Sequence, residues 1–174
     1  MRRYGIHPKA LLFFIFSAVA LASCYKEPNF ALKPEIEYNS IKKDIRIDQF
    51  FGGYKDSVVV SVKFQDGDGD LGLNDAEIAE AIKVNNFNYV IKYHRRVNGK
   101  YVEYIPLEPL SGFFPRLKND GKDGPIEGVL SYTMQFLHAF TPKKDSVKFE
   151  ISIKDRAGNI SNSVETDMII LNQF

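Results

Sequence analysis

Apolar and polar side chains alternate with a period of two residues along much of this chain. The run DSVVVSVKFQ, residues 56–65, places Val58, Val60, Val62 and Phe64 at every second position. Such alternation, with β-branched side chains, is typical of a strand that buries one face. The chain is therefore expected to fold as β-sheet with one covered face on each strand.

Further strands are expected at regular spacing, with turn residues between them. The pattern recurs at residues 87–93, 101–105, 128–137, 146–153 and 163–171, with one or two strands before Gly52. The pair Asn98-Gly99 lies between two of these runs and is a strong hairpin signal. A single short helix is expected at residues 74–82, capped by Asn74. About seven short strands predict an all-β fold, an immunoglobulin-like antiparallel β-sandwich.

The first residues have the order of an export signal. Basic residues precede an apolar run from Ala10 to about Ala22, which is shorter than the roughly 20 residues that span a bilayer. The stretch LASC then ends at Cys24, the only cysteine of the chain. This stretch resembles the lipobox of bacterial lipoproteins, which implies a lipid anchor at Cys24 and attachment to a membrane. The alternatives are an ordinary secretory signal with a chance cysteine and an uncleaved short helix.

The chain is expected to divide into three parts. These are a lipoprotein signal peptide (1–23), a lipidated tether (24–34) and one sandwich domain (35–174). The pair Lys26-Glu27 is similar to short signals that carry some Gram-negative lipoproteins to the cell surface, so a surface-exposed position on the outer membrane is expected. Removal of residues 1–23 changes the formal charge from +1 to −2, and no basic patch indicates a nucleic-acid partner.

A short acidic loop follows the run of residues 56–65. It reads DGDGDLG and places Asp66, Asp68 and Asp70 at alternate positions with glycine between them. Alternate carboxylates can converge on a hard cation, and calcium takes six to eight oxygen ligands of this kind. Magnesium prefers fewer carboxylates, and a transition metal would favour histidine or cysteine. The loop therefore predicts a structural calcium ion, and a solvated acidic turn is the alternative.

The spacing of this loop resembles that of an EF-hand. Asn74 and Glu77 fall at the ninth and twelfth positions and are candidates for additional ligands. Leu71 occupies the sixth position, where an EF-hand has glycine, and a predicted strand precedes the loop in place of a helix. The EF-hand itself is therefore not expected, although the same ligand chemistry is.

Sandwich topology adds a second source of ligands. The loops after the second and sixth strands lie at the same end of such a domain. The later loop, KDRAGN at residues 154–159, would bring Asp155 and Asn159 towards the aspartates. Arg156 in the same loop is a candidate counter-charge if no cation binds.

Several stretches together carry a family resemblance. They are the lipobox, DGDGDLG, the segment PIEG at residues 125–128, and DRAGNISN at residues 155–162. In this combination the chain resembles small outer-membrane lipoproteins of Gram-negative gut and environmental bacteria that have an immunoglobulin-like or cadherin-like sandwich. The resemblance implies the sandwich fold and the calcium-type loop, and it supplies no catalytic residue.

No motif in the sequence indicates an enzyme. The chain has no nucleophile elbow, phosphate loop or zinc-binding helix pattern, and His94 and His138 stand alone. A non-catalytic protein is therefore expected, with a hydrolase that uses paired carboxylates as the less favoured alternative.

Aromatic residues on neighbouring strands form a candidate binding surface. They are Tyr89, Tyr93, Tyr101 and Tyr104. They would bind a glycan or an outer-membrane partner protein, and core or cross-strand packing is the alternative. The expected function is that of a calcium-stabilised surface module for binding or adhesion. The alternative is a structural subunit of an outer-membrane transport or envelope complex.

Overall fold

The structure is a computed structural model that describes residues 28–50 and 52–174. The predicted signal peptide, the lipidation site Cys24 and the first residues of the tether lie outside the described residues. The described chain forms eight strands and one helix. In chain order they are β1 (Glu35–Ile47), β2 (Tyr54–Asp66), α1 (Asp75–Lys83), β3 (Tyr89–Val97), β4 (Lys100–Tyr104), β5 (Ile126–Leu137), β6 (Asp145–Ile153), β7 (Val164–Glu165) and β8 (Ile169–Leu171).

The strands form two antiparallel sheets that pack as a sandwich. The first sheet has the order β1-β2-β5, and the second has the order β4-β3-β6, with β7 and β8 both paired to β6. The first, second and fifth strands thus share one sheet, as in immunoglobulin-like sandwiches. This architecture confirms the all-β sandwich predicted from the alternation.

The core lies between the inner faces of the two sheets. Val58, Val60 and Val62 of β2 are fully buried, and Phe149 and Ile151 of β6 meet them from the second sheet. Burial of each such side chain stabilises the fold by about 1.5 to 3 kcal/mol. The alternation that predicts β2 therefore also predicts which of its side chains form the core.

One predicted strand is divided in the structure. Residues 163–171 form β7 and β8 because Thr166 interrupts the ladder with β6. Its hydroxyl oxygen accepts the Phe149 N–H at 3.0 Å in place of a backbone carbonyl. The predicted helix is confirmed as α1, and Asn74 is its N-cap.

Antiparallel strands gather the loops at two opposite poles of the domain. One pole, here called the acidic pole, holds residues 28–34, 66–74, 111–125 and 154–160. The other, called the far pole, holds residues 48–50, 52–53, 138–144 and 172–174. The acidic pole contains both loops in which the sequence predicts metal ligands.

Candidate metal centre

The acidic loop begins at the last residue of β2. Asp66 points inward like the even-numbered residues before it and is fully buried. The next residue, Gly67, passes so close to the N-terminal segment that a β-carbon would lie 2.6 Å from the Phe30 carbonyl oxygen. Its N–H donates to the Ala31 carbonyl at 2.9 Å. Glycine at this position therefore allows the loop to pack against residues 30 and 31.

The structure brings the two predicted loops together. Asp66, Asp70 and Asp155 each offer a carboxylate oxygen, and these oxygens lie within 4.8 Å of one another. Leu71 pairs with Asp155 in an antiparallel bridge, which joins the end of the first sheet to the end of the second. The expected approach of Asp155 to the aspartate loop is therefore found, for the topological reason from which it was predicted.

The hydrogen bonds of the cluster satisfy only some of its oxygens. The Asp66 Oδ2 atom accepts the Asp70 N–H at 3.0 Å, and the Asp70 Oδ2 atom accepts the Ala157 N–H at 2.9 Å. Asp155 accepts the N–H and the side-chain amide of Asn159, both at 2.7 Å. Among the described residues, the buried Oδ1 atoms of Asp66, Asp68 and Asp70 have no hydrogen-bond donor.

Burial and mutual repulsion make the negative charges of the cluster costly. Burial, and then the charges of Asp68 and Asp70, raise the pKa of Asp66 to about 6. Burial, and then the charge of Asp155, raise the pKa of Asp70. Arg156 makes no ion pair within 4.0 Å among the described residues, and its guanidinium donates to the Gly72 carbonyl. The charge of Arg156 lowers the pKa of Asp70, but burial and the charge of Asp155 outweigh it, so this candidate counter-charge offsets only part of the repulsion.

Two of the candidate additional ligands have another role. The Asn74 side chain accepts the Glu77 N–H at 2.8 Å, and Glu77 in turn accepts the Asn74 N–H at 2.7 Å. This reciprocal pair is a capping box at the start of α1. Arg116 also donates to Glu77 at 2.6 Å and lowers the pKa of that carboxyl. Asn74 and Glu77 thus belong to the helix cap and lie outside the carboxylate cluster, whereas Asn159 lies beside it.

The long segment of residues 111–125 encloses the acidic loop through backbone hydrogen bonds. The Gly124 N–H donates to the Asp68 carbonyl at 3.0 Å, and the Leu117 N–H donates to the Leu71 carbonyl at 3.1 Å. At Gly72, where φ is +86°, a β-carbon would lie 2.1 Å from the Pro115 carbonyl oxygen. No pattern in the sequence marks where this segment packs.

The four tyrosines predicted as a binding surface do not share one face. Tyr89 and Tyr93 alternate on the inner face of β3, where they are 0% and 6% exposed, so they are core residues. Tyr89 stacks on Tyr132 with ring centroids 4.5 Å apart. Tyr104 pairs with Tyr93, whereas Tyr101 pairs with the outward-facing Arg96. The predicted tyrosine surface is therefore wrong for Tyr89 and Tyr93, and Tyr101 and Tyr104 lie on opposite faces of β4.

The fold and this site together define an all-β sandwich whose two sheets meet, at one pole, in a carboxylate cluster with the oxygen donors that a hard cation prefers. Comparisons with protein-family models, with curated proteins and with solved structures found no match. In residues 28–50 and 52–174, no helix has the length and apolar character needed to cross a membrane.

Proposed function

We propose that this chain is a non-catalytic, calcium-stabilised β-sandwich lipoprotein of the outer membrane that works as an accessory or adhesion-type binding module. The metal part of this proposal rests on three buried Oδ1 atoms, those of Asp66, Asp68 and Asp70. None of them has a hydrogen-bond donor among the described residues. A buried carboxylate oxygen without a partner is costly, and a bound cation removes that cost.

Calcium suits the donor set better than other common ions. Asp66 and Asp70 offer carboxylate oxygens, and Asp155 adds a third carboxylate from the other sheet. Calcium accepts six to eight oxygens in irregular geometry, whereas magnesium keeps several waters and an octahedral shell. Zinc and copper favour imidazole or thiolate ligands.

A structural role follows from what the site connects. Asp66 and Asp70 belong to the end of the first sheet, and Asp155 follows the central strand of the second. Because Gly67 also holds residue 31, a cation here would fasten the two sheets and the N-terminal segment at one point. Loss of the ion would leave mutually repelling carboxylates at this junction.

The envelope part of the proposal is supported by the sequence of the N-terminal region. Cys24 ends a lipobox-like stretch, and Ala31, which contacts the acidic loop, follows it by seven positions. A chain of seven residues reaches about 25 Å at most. Lipid at Cys24 would therefore hold the acidic pole near the membrane, with the far pole directed away from it.

Thermal melting of the purified chain tests the metal. We expect the melting temperature to rise when calcium replaces EDTA, and to rise much less with magnesium. Calcium at a hundredfold its dissociation constant stabilises by about 2.7 kcal/mol, which is about 5 to 10 °C for a domain of this size. Asp70→Asn should remove the shift, and Asp123→Asn, which alters an exposed aspartate of the enclosing segment, should retain it.

Two results would contradict the metal part of this proposal. One is an equal melting temperature in EDTA and calcium, which would leave the loop as an acidic turn. The other is an equal loss of the shift in both variants, which would assign it to unspecific screening of acidic residues. Labelling of Cys24 with a fatty-acid analogue in growing cells tests the anchor separately, and absence of label would reject it.

A further inference from the structure

Several large apolar side chains lie at the surface in and beside the far pole. Ile47, Phe50, Tyr54 and Phe140 are 69%, 86%, 59% and 77% exposed. We call these four residues the apolar tip. A single exposed apolar side chain is normal in a folded protein, whereas a contiguous group of them marks a site of interaction with another molecule or with a membrane.

The members of the apolar tip are neighbours in the fold. Ile47 and Tyr54 are paired residues at the end of the ladder between β1 and β2, and Phe50 lies in the connection between these strands. Tyr54 and Phe140 line one cleft of about 360 Å³. The tip therefore joins two loops at the end of the sandwich, and it projects from the pole rather than from the flat face of a sheet.

Positive charge flanks the apolar tip. Lys143 lines the same cleft, and Lys144 follows it in the chain. Both lysines are exposed, and neither makes an ion pair within 4.0 Å in the part of the chain that the structure describes. Asp48 is the only acidic side chain among the described residues of the far pole, where it is 5% exposed and lies 3.9 Å from the Lys55 amine.

We propose that the apolar tip inserts into the surface of an anionic lipid bilayer, where Lys143 and Lys144 contact the lipid phosphates. Binding of this kind grows with the apolar area that enters the boundary between headgroups and acyl chains, and with the attraction of basic residues to anionic lipids. The proposal deepens the proposed role as a binding module by naming its surface and its partner. It rests on the proposed anchor for orientation only, because a tether at the acidic pole makes this bilayer a second membrane.

An anionic bilayer complements this tip better than a second copy of the chain does. A symmetric contact between two far poles would bring Lys143 and Lys144 of both copies together. Their charges would repel each other, and no exposed acidic side chain of the described far pole would compensate. An anionic bilayer instead offers phosphates to the lysines and hydrocarbon to the aromatic rings.

The test measures capture of lipid vesicles by the full lipidated chain held in phosphatidylcholine nanodiscs. Incorporation into the nanodiscs requires the lipid anchor, so a failure of the anchor is seen before any vesicle is added. The probes are fluorescent vesicles of phosphatidylcholine alone, and of phosphatidylcholine and phosphatidylglycerol in equal amounts. Co-flotation of the chain with the vesicles reports capture, and protein-free vesicles exclude a partner protein as its cause.

Two pairs of variants separate the apolar and the electrostatic contributions. Phe140→Asp changes the apolar tip, and Val129→Asp changes a 58% exposed apolar residue of β5 near the acidic pole. The double variant with Lys143→Gln and Lys144→Gln removes the flanking charges, and Lys122→Gln removes that of an exposed lysine in the segment of residues 111–125. Equal melting temperatures would exclude misfolding as the cause of a change, and Phe140→Ser replaces Phe140→Asp if the latter melts lower.

We expect saturable capture of the anionic vesicles and much weaker capture of the neutral ones. Phe140→Asp should weaken capture about tenfold or more, and loss of the two lysines should weaken it about fivefold for each lysine. The two control variants should match the wild type. Absence of capture, equal capture of both kinds of vesicle, or equal weakening by Val129→Asp would overturn the proposal. A dimer of this chain that Phe140→Asp dissociates, without capture of vesicles, would overturn it in favour of a second copy.

Discussion

Asp66→Asn is expected to change the stability of the chain in opposite directions with and without calcium. Asp66 is fully buried, and burial with the neighbouring aspartates raises its pKa from 3.8 to about 6. The folded state therefore holds this proton more tightly than the unfolded chain does. Below about pH 4 the protonated carboxyl contributes its full stability, and this contribution is lost as the pH rises towards 6.

The magnitude follows from the size of the pKa change. A rise from 3.8 to about 6 corresponds to about 3 kcal/mol, and screening by water around the half-buried Asp68 and Asp70 reduces the expected effect to about 1 to 2 kcal/mol. The amide oxygen of the substituted side chain would still accept the Asp70 N–H. In EDTA at neutral pH, the variant should therefore be more stable than the wild type by that amount. In saturating calcium it should be less stable, because one charged ligand is lost.

Urea unfolding in EDTA and in calcium measures both effects. In EDTA the free energy of unfolding of the wild type should fall between pH 4 and pH 6, and that of Asp66→Asn should fall less. Asp123→Asn should match the wild type in both buffers. If Asp66→Asn were less stable than the wild type with and without calcium, Asp66 would support the fold through hydrogen bonds alone, and the reasoning would be refuted.

Three further substitutions, with a fourth as a surface control, test other parts of the structure. Asn74→Ala should lower the free energy of unfolding by about 1 kcal/mol in urea, because the helix cap is lost. Its calcium affinity, measured by calorimetry, should stay unchanged, and a loss of affinity would show that Asn74 is a ligand. Gly67→Ala should lower the free energy of unfolding by about 1 to 3 kcal/mol and speed proteolysis near residue 31. Unchanged proteolysis would refute the contact between Gly67 and the N-terminal segment. Phe149→Ala should cost about 3 to 5 kcal/mol, whereas the exposed Phe174→Ala should stay within about 0.5 kcal/mol in the same urea assay.

Much of the fold could be predicted because local pattern and tertiary burial agree. β2 alternates strictly, and its even-numbered residues are the ones the core buries. The meeting of Asp155 with the aspartate loop could also be predicted, because sandwich topology places both loops at one pole. The division of β7 from β8 could not, since it depends on a single hydrogen bond from the Phe149 N–H to Thr166.

The wrong parts of the site prediction have identifiable physical causes. Asn74 and Glu77 match EF-hand positions only by counting, whereas in the structure their side chains cap the start of α1. Tyr89 and Tyr93 share one face of β3, as a period of two residues predicts, but that face is the buried inner face of the sheet.

The contacts of the enclosing segment and of residues 30 and 31 had no signal in the sequence. Both join the acidic loop through backbone groups, which every residue carries, so no side-chain pattern marks them. The glycines that permit this close packing, Gly67 and Gly72, look the same in sequence as glycines of an ordinary turn.

Calorimetric titration of calcium into the EDTA-stripped chain tests the central claim most directly, because the claim is that one cation is shared by the carboxylates of Asp66, Asp70 and Asp155. The account predicts one calcium ion per chain, with binding lost in Asp70→Asn and kept in Asp123→Asn. No saturable heat, or the same binding curve for Asp70→Asn as for the wild type, would contradict it.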